Sequence, residues 1–176
     1  EQLHAVLCDV KSLVGQGWRF VLCHGGGPQA NALAARLGLE AKKVGGRRVT
    51  DEATLQVVKQ VLAGEVSVDV VAAATAAGLS AVGVSGVSAR TVSASRRAPM
   101  VVSGGGDEPV DFGLVGKVRE IRGGLIEHLW KGGYTPVLNT LGIDEPLEGA
   151  TTCTVYNINA DTVASAVAGA LKVDHL

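Results

Sequence analysis

Leu3, Val6, Leu7, Val10, Leu13 and Val14 recur at the spacing of one helical face, and Gly15 and Gly17 close the pattern. "RFVLCH" then reads as a short apolar strand. Pro28 suits the first turn of a helix reaching Gly38, where its missing N–H is no loss. "DEATLQVVKQVLAG" predicts a helix with acids in its first turn and Gly64 near its end, and "VSVDVVAAATAAG" predicts a separate one. "LSAVGVSG" reads as a buried strand. Weak alternation from Thr91 to Arg119 around "SGGGDEP" predicts a hairpin with a mobile tip. A helix ("GLIEHLWKGG"), a strand ("YTPVLNTLG"), an acidic loop ("IDEPLEGATTC") and a strand passing into a helix ("VYNINADTVASAVAGALK") complete the chain. Strands alternating with helices predict an α/β fold, a largely parallel sheet covered on both faces.

Composition narrows this picture. The 176 residues are 47% hydrophobic with 3% aromatics and a mean hydropathy of +0.27, enough for one domain with a core of small aliphatic side chains. A formal charge of −1 and a pI near 6.5 give no footprint for nucleic acid. Cys8, Cys23 and Cys153 lack metal-ligand spacing and read as reduced thiols of a cytoplasmic protein. No apolar run has the length of a membrane span, and no signal peptide is visible. The chain opens on Glu1 inside a helical pattern and closes on "LKVDHL", where a helix would hand over to a strand, so both ends read as cut.

The chemistry concentrates in two places. Gly25, Gly26 and Gly27 join a strand to a helix, a geometry that gathers backbone N–H groups at a helix N-terminus and favours an approaching anion. The alternative is a tight turn that binds nothing. No P-loop pattern is present. Gly25, Gly27 and Ala30 fit the looser GxGxxA dinucleotide pattern, with Arg47 and Arg48 further on as partners for a 2′-phosphate. Pro28 inside the motif and a poorly formed second strand weaken that match. Arg suits bidentate carboxylate recognition, and Arg48, at the start of an element, is the better candidate; Arg47 reads as a solvated turn residue. In "YNINADTV", one helix cap explains one polar residue but not Asn157, Asn159 and Asp161 together. Amides offer donors and acceptors to a polar substrate, and an ionised aspartate can organise cations.

"HGGGPQ", "GGRRVTDEATLQVVKQVLAG", "AVGVSG", "FGLVGKV", "GGYTPVLNTLGIDE" and "YNINADTVASAVAGAL" together resemble the amino-acid kinase family, and within it the acetylglutamate kinases. The resemblance implies an open three-layer αβα sandwich. It also implies phosphoryl transfer from ATP, brought with Mg2+, to the side-chain carboxylate of N-acetyl-L-glutamate in arginine synthesis. Carried over by position, Gly26 and Gly27 contact the substrate around its reacting carboxylate, Arg48 holds the α-carboxylate and Asn157 orients the acetylamino end. Asp161 matches the catalytic aspartate that organises lysines, and Gly25 and Asn159 support the site. The resemblance further implies a homo-oligomer, a dimer or a larger ring. The helices "DEATLQVVKQVLAG" and "VSVDVVAAATAAG" carry enough aliphatic surface for its interface, or for core.

The match has gaps. The family opens with a lysine-bearing "KxGG" strand, and a second catalytic lysine lies in its nucleotide-binding half. None of Lys11, Lys42, Lys43, Lys59, Lys117, Lys131 or Lys172 corresponds to either. "VSARTV" stands where the family has an Asp-Gly-Gly-like turn, and residues 91–119 read as a divergent lid. The expectation is therefore an N-terminal substrate-binding and dimer-forming part, residues 1–176, inactive without an ATP-binding domain. Two other readings stand beside it: an arginine-sensing, kinase-like domain of an acetylglutamate synthase, and an NADP-dependent oxidoreductase.

Overall fold

A computed structural model describes residues 2–39 and 42–176. Helix α1 (Gln2–Gly15) leads to β1 (Leu22–His24), and α2 (Gly27–Arg36) follows directly from the glycines. A short hairpin, β2 (Lys43–Val44) and β3 (Arg47–Arg48), precedes α3 (Glu52–Gln60) and α4 (Ser67–Ala76). Then come β4 (Ala81–Val84), β5 (Val92–Arg96), β6 (Gly116–Ile121), α5 (Gly124–Lys131), β7 (Thr135–Asn139), β8 (Leu141–Ile143), β9 (Val155–Asn157) and α6 (Ala160–Leu171).

The parallel part of the sheet has the order β1-β7-β4. Thr140 carries the chain from β7 into β8, and so into a second sheet ordered β6-β5-β8-β9. There β5 and β8 run parallel while β6 and β9 are antiparallel additions. Successive residues point to opposite faces. Cys23 and Val82 pack with Ile126 of α5 and Val163 and Val167 of α6, whereas Leu22 and Ala81 pack with Leu7 and Val10 of α1 and Ala74 of α4. Helices on both faces of the strands make the three-layer αβα arrangement. A third apolar cluster joins Ala30 and Ala34 of α2 to Val57, Val58, Val61 and Leu62.

One local expectation changes, and one segment that departs from the family pattern takes an unusual backbone. Gly64 does not end a helix: α3 runs through a π-helical segment, Val61–Val66, into α4. A helical glycine costs only about 1 kcal/mol relative to Ala, and burial of Val61, Leu62 and Val66 against α2 outweighs that. The aliphatic faces of these helices are therefore largely core, although Val68 is exposed. The segment is "VSARTV", where Ala89 and Arg90 keep positive φ (49° and 54°) without being glycine. Left-handed backbone costs an L-residue about 1–2 kcal/mol; Arg90 recovers part of it by pairing with Glu145.

Candidate functional site

The glycine turn is shaped by what surrounds it. Gly26 stands at the N-cap of α2, and a Cβ there would come within 2.9 Å of Leu62 Cδ2 and 3.2 Å of Val61 Cγ1 and Val66 Cγ2. Gly25 lies against α6, its would-be Cβ 3.4 Å from that of Ala160. Gly27 differs: a Cβ there would meet nothing within 4 Å. Gly26 thus lets α2 dock closely, Gly25 stands in ordinary contact with α6, and Gly27 opens its backbone to a cavity. The first N–H groups of α2 have no intrahelical acceptor and are available to an anion. His24 fixes the entry to the turn, its Nδ1 donating to Gly25 O at 3.0 Å.

Arg48 reaches the turn from another element. Gly45 and Gly46, both at positive φ (54° and 75°), form the two-residue turn between β2 and β3, the geometry that matches strand twist. Arg48 sits at the end of that hairpin, just before Asp51 caps α3 by accepting from Thr54 N at 2.8 Å. Arg48 Nη2 donates to Gly27 O at 3.2 Å and to Asn31 Oδ1. Its Nη1 is buried and, among the described residues, has no partner. Burial pushes the guanidinium pKa down, and an anion at Nη1 would satisfy both the atom and the charge. The side chain of Arg47 lies outside the described residues.

Asn157 closes the far wall. Its Nδ2 donates to Thr50 Oγ1 at 3.3 Å, and its N–H donates to Leu114 O at 2.9 Å. The "FGLVG" segment makes this possible: Thr50 pairs with Phe112 and Leu114 through backbone bonds, and a Cβ at Gly113 would stand 2.4 Å from Thr50 O. Asn159 caps α6, its Oδ1 accepting from Asp161 N at 2.8 Å and Thr162 N at 3.3 Å. Asp161 is exposed and, among the described residues, makes no ion pair.

Gly25, Gly26, Gly27, Arg48, Asn157, Asn159 and Asp161 each line at least one of two adjoining cavities. The smaller, about 250 Å³, is lined by Gly25, Gly26, Gly27, Arg48, Asn157 and Asn159 over an apolar floor that includes Val58 and Leu62. The larger, about 610 Å³, shares Gly27, Arg48, Asn157 and Asn159 and adds Lys43, Arg97 and Asp161. A separate cavity of about 430 Å³, lined by Trp18, Trp130 and His175 among others, contains none of these residues. Three cations against one acid suit an anionic ligand. Among the described residues no cluster of His, Cys, Asp or Glu is fit to hold a metal.

Sequence reasoning missed Asn31, Thr50 and Asn139. Asn31 was within reach, being one helical turn beyond Gly27 on the same face of α2. Asn139, 1% exposed, accepts from Ser85 Oγ (3.1 Å), Gly86 N (3.3 Å) and Leu141 N (3.3 Å), tying β4 to the β7–β8 passage behind the site.

The amino acid kinase family profile matches residues 1–176. The chain belongs to this family. Among curated proteins, the acetylglutamate kinase of Anaeromyxobacter dehalogenans (strain 2CP-C) is 49% identical over 99% of this chain and 63% of its own length. That of Methanopyrus kandleri is 46% identical over 89% of this chain and 59% of its own. The chain thus spans about three fifths of the curated relatives it matches. Among solved structures, smu.665 from Streptococcus mutans UA159 superposes with a TM-score of 0.77 at 29% identity, covering 96% of this chain and 62% of that one. The N-acetylglutamate synthase of Neisseria gonorrhoeae, complexed with coenzyme A and N-acetyl-glutamate, gives 0.70 at 25% identity, covering 98% of this amino acid kinase chain and 36% of that one.

Proposed function

We propose that this chain is the acetylamino-acid-binding part of an acetylglutamate kinase, which transfers a phosphoryl group from ATP to the side-chain carboxylate of N-acetyl-L-glutamate in arginine synthesis. The observation that carries this reading is the meeting of Arg48 with the glycine turn. A guanidinium with one buried, unpartnered nitrogen is bonded to the carbonyl of the glycine whose backbone opens on the cavity. A substrate with two carboxylates fits that pair: one at Arg48, the other at the N-terminus of α2.

The chemistry asks little of the protein beyond placement. A side-chain carboxylate with a pKa of about 4.3 is already ionised near neutral pH and needs no general base. ATP with Mg2+ supplies the phosphoryl group when bound. The open backbone at Gly27 fits a phosphoryl group's approach, and a Mg2+ carried on the nucleotide requires no protein cage. The backbone N–H groups of the turn would take up charge on the equatorial oxygens. Asn157 would orient the acetylamino end, Asn159 would hold the N-terminus of α6, and Asp161 would organise cations at the transferring group. None of the described lysines pairs with Asp161, so the 176 residues alone are proposed to bind substrate without turning it over. We place the protein in the cytoplasm as a homo-oligomer, with residues 91–119 as a lid.

Calorimetric titration with N-acetyl-L-glutamate tests the reading, with Arg48→Ala and Asn157→Ala alongside. Binding that both substitutions weaken supports it, and a folded chain that binds no N-acetyl-L-glutamate defeats it. The likeness to N-acetylglutamate synthase favours one second reading, an arginine-sensing domain of such an enzyme. L-arginine binding together with acetyl transfer by the full-length protein would select that one. Tight NADPH binding would instead revive the dinucleotide pattern.

A further inference from the structure

The larger cavity has a cation that neither the glycine turn nor the "NINAD" segment accounts for. Arg97 follows β5 directly, is half-buried, and lines the cavity together with Lys43, Arg48 and Asn157. Its neighbour Arg96 is already paired, Nη2 lying 2.8 Å from Asp111 Oδ2. The Arg97 guanidinium has no acceptor among the described residues. Its backbone is fixed, however: Arg97 N donates to Val115 O at 2.9 Å, and Val115 bridges Asn157. Arg97 is therefore tied, through one backbone step, to the residue that closes the site.

Position in the cavity decides what it would hold. Arg97 lines the larger opening but not the smaller one that contains Gly25 and Gly26, whereas Arg48 lines both. A ligand that places its reacting carboxylate at the glycines and passes Arg48 would bring its other end toward Arg97. The two hairpins also touch. A Cβ at Gly45 would stand 2.5 Å from Ser103 O, and one at Gly105 would stand 3.0 Å from Val44 Cγ1. Lys43 is exposed on the rim and offers only a point charge; Arg97 offers a planar fork.

We infer that Arg97 is a second carboxylate-binding residue, which with Arg48 clamps the α-carboxylate of the acetylamino acid between the β2–β3 hairpin and the segment following β5. The inference rests on the kinase reading and adds to it a residue that selects α-carboxylate over α-amide ligands. A charge-assisted fork of this kind is lost when either arginine is truncated.

The test is a ligand-by-variant cycle on the full chain. N-acetyl-L-glutamate and its α-carboxamide analogue are titrated against wild type, Arg48→Ala, Arg97→Ala and Arg97→Gln, with a thermal melt of each. Expected are a roughly tenfold loss for the diacid in both Arg97 variants, about 1.4 kcal/mol, little change for the carboxamide, and unchanged melting. In the active protein KM rises while kcat stays within about twofold, the pattern of lost uniform binding. Diacid binding by the Arg97 variants within twofold of wild type, while Arg48→Ala weakens it, overturns the inference and spares the kinase reading. Equal losses for diacid and carboxamide also overturn it. A wild-type chain that binds neither ligand brings down the kinase reading, and this one with it.

Discussion

Gly26 is wedged against Leu62, Val61 and Val66 where β1 passes into α2, whereas Arg48 ends a two-strand hairpin whose turn, Gly45–Gly46, leans on the loop at Val102 and Ser103. Both regions border the same cavities, but one is held by core packing and the other by a few contacts at its tip. The difference follows from what each half of a substrate would need. A phosphoryl acceptor tolerates little displacement, since misplacement at the reacting atoms is costly in rate. A carboxylate at the far end can be gripped by side chains that adjust as it arrives.

Substitutions at the two glycines should break this contrast most visibly. Gly26→Val drives two methyl groups into Leu62, Val61 and Val66, and overpacking of that kind costs about 1–3 kcal/mol. A fall in melting temperature of several degrees would be expected in a chain of this size. Gly27→Ala has open space and should melt like wild type, yet phosphoryl transfer by the full enzyme should drop steeply as the methyl group occupies the approach to the backbone. Equal destabilisation by both would mean that the turn is merely a tight packing joint.

Next in size is Arg48→Ala. It removes a charge-assisted contact of about 1.5–3 kcal/mol, so N-acetyl-L-glutamate binding should weaken roughly tenfold to a hundredfold in calorimetry. Its melting point should scarcely move, because the hairpin contributes little to the core. Asn159→Ala is expected to do the reverse on a smaller scale. Loss of the α6 cap costs about 1 kcal/mol in thermal or urea unfolding, with substrate affinity nearly unchanged. If Asn159→Ala instead abolished binding at full stability, its place would be with Arg48 rather than with the scaffold.

The parts of the site that were legible in the sequence are those in which a residue type can do one thing. Three glycines between a strand and a helix imply a backbone approach, and Arg48 after Gly45–Gly46 implies a planar fork suited to a carboxylate. The helix periods were similarly clear, because α2, α5 and α6 each bury one regular face. What could not be read was non-local. Asn139 gains its role from Ser85 and Gly86, more than fifty residues earlier. Thr50 gains its role from Asn157, and Arg97 becomes a candidate only once β5 is folded beside the "FGLVG" segment. Gly64 misled for a related reason: local propensity argued for a helix end, and burial against α2 and Leu141 of β8 carried the helix onward as a π segment.

The smallest effect probes the rigid side without touching the chemistry. Cys23 lies on β1 immediately before His24 and the glycine turn, and burial pushes its thiol up to about 11. At pH 8 only about one molecule in a thousand would carry the thiolate, so Cys23 should resist alkylation by iodoacetamide while exposed Cys8 reacts. Because the folded pKa is raised, the neutral thiol stabilises the fold below the ordinary value of 9.0, and that contribution fades as pH rises toward about 11. Urea midpoints should therefore begin to fall above pH 9, and Cys23→Ala should remove this part of the pH dependence. Rapid modification of Cys23 at pH 8 would mean that β1 and the turn beside it open readily. The glycine turn would then be as adjustable as the arginine hairpin, and the division between a fixed reacting end and a yielding recognition end would fail.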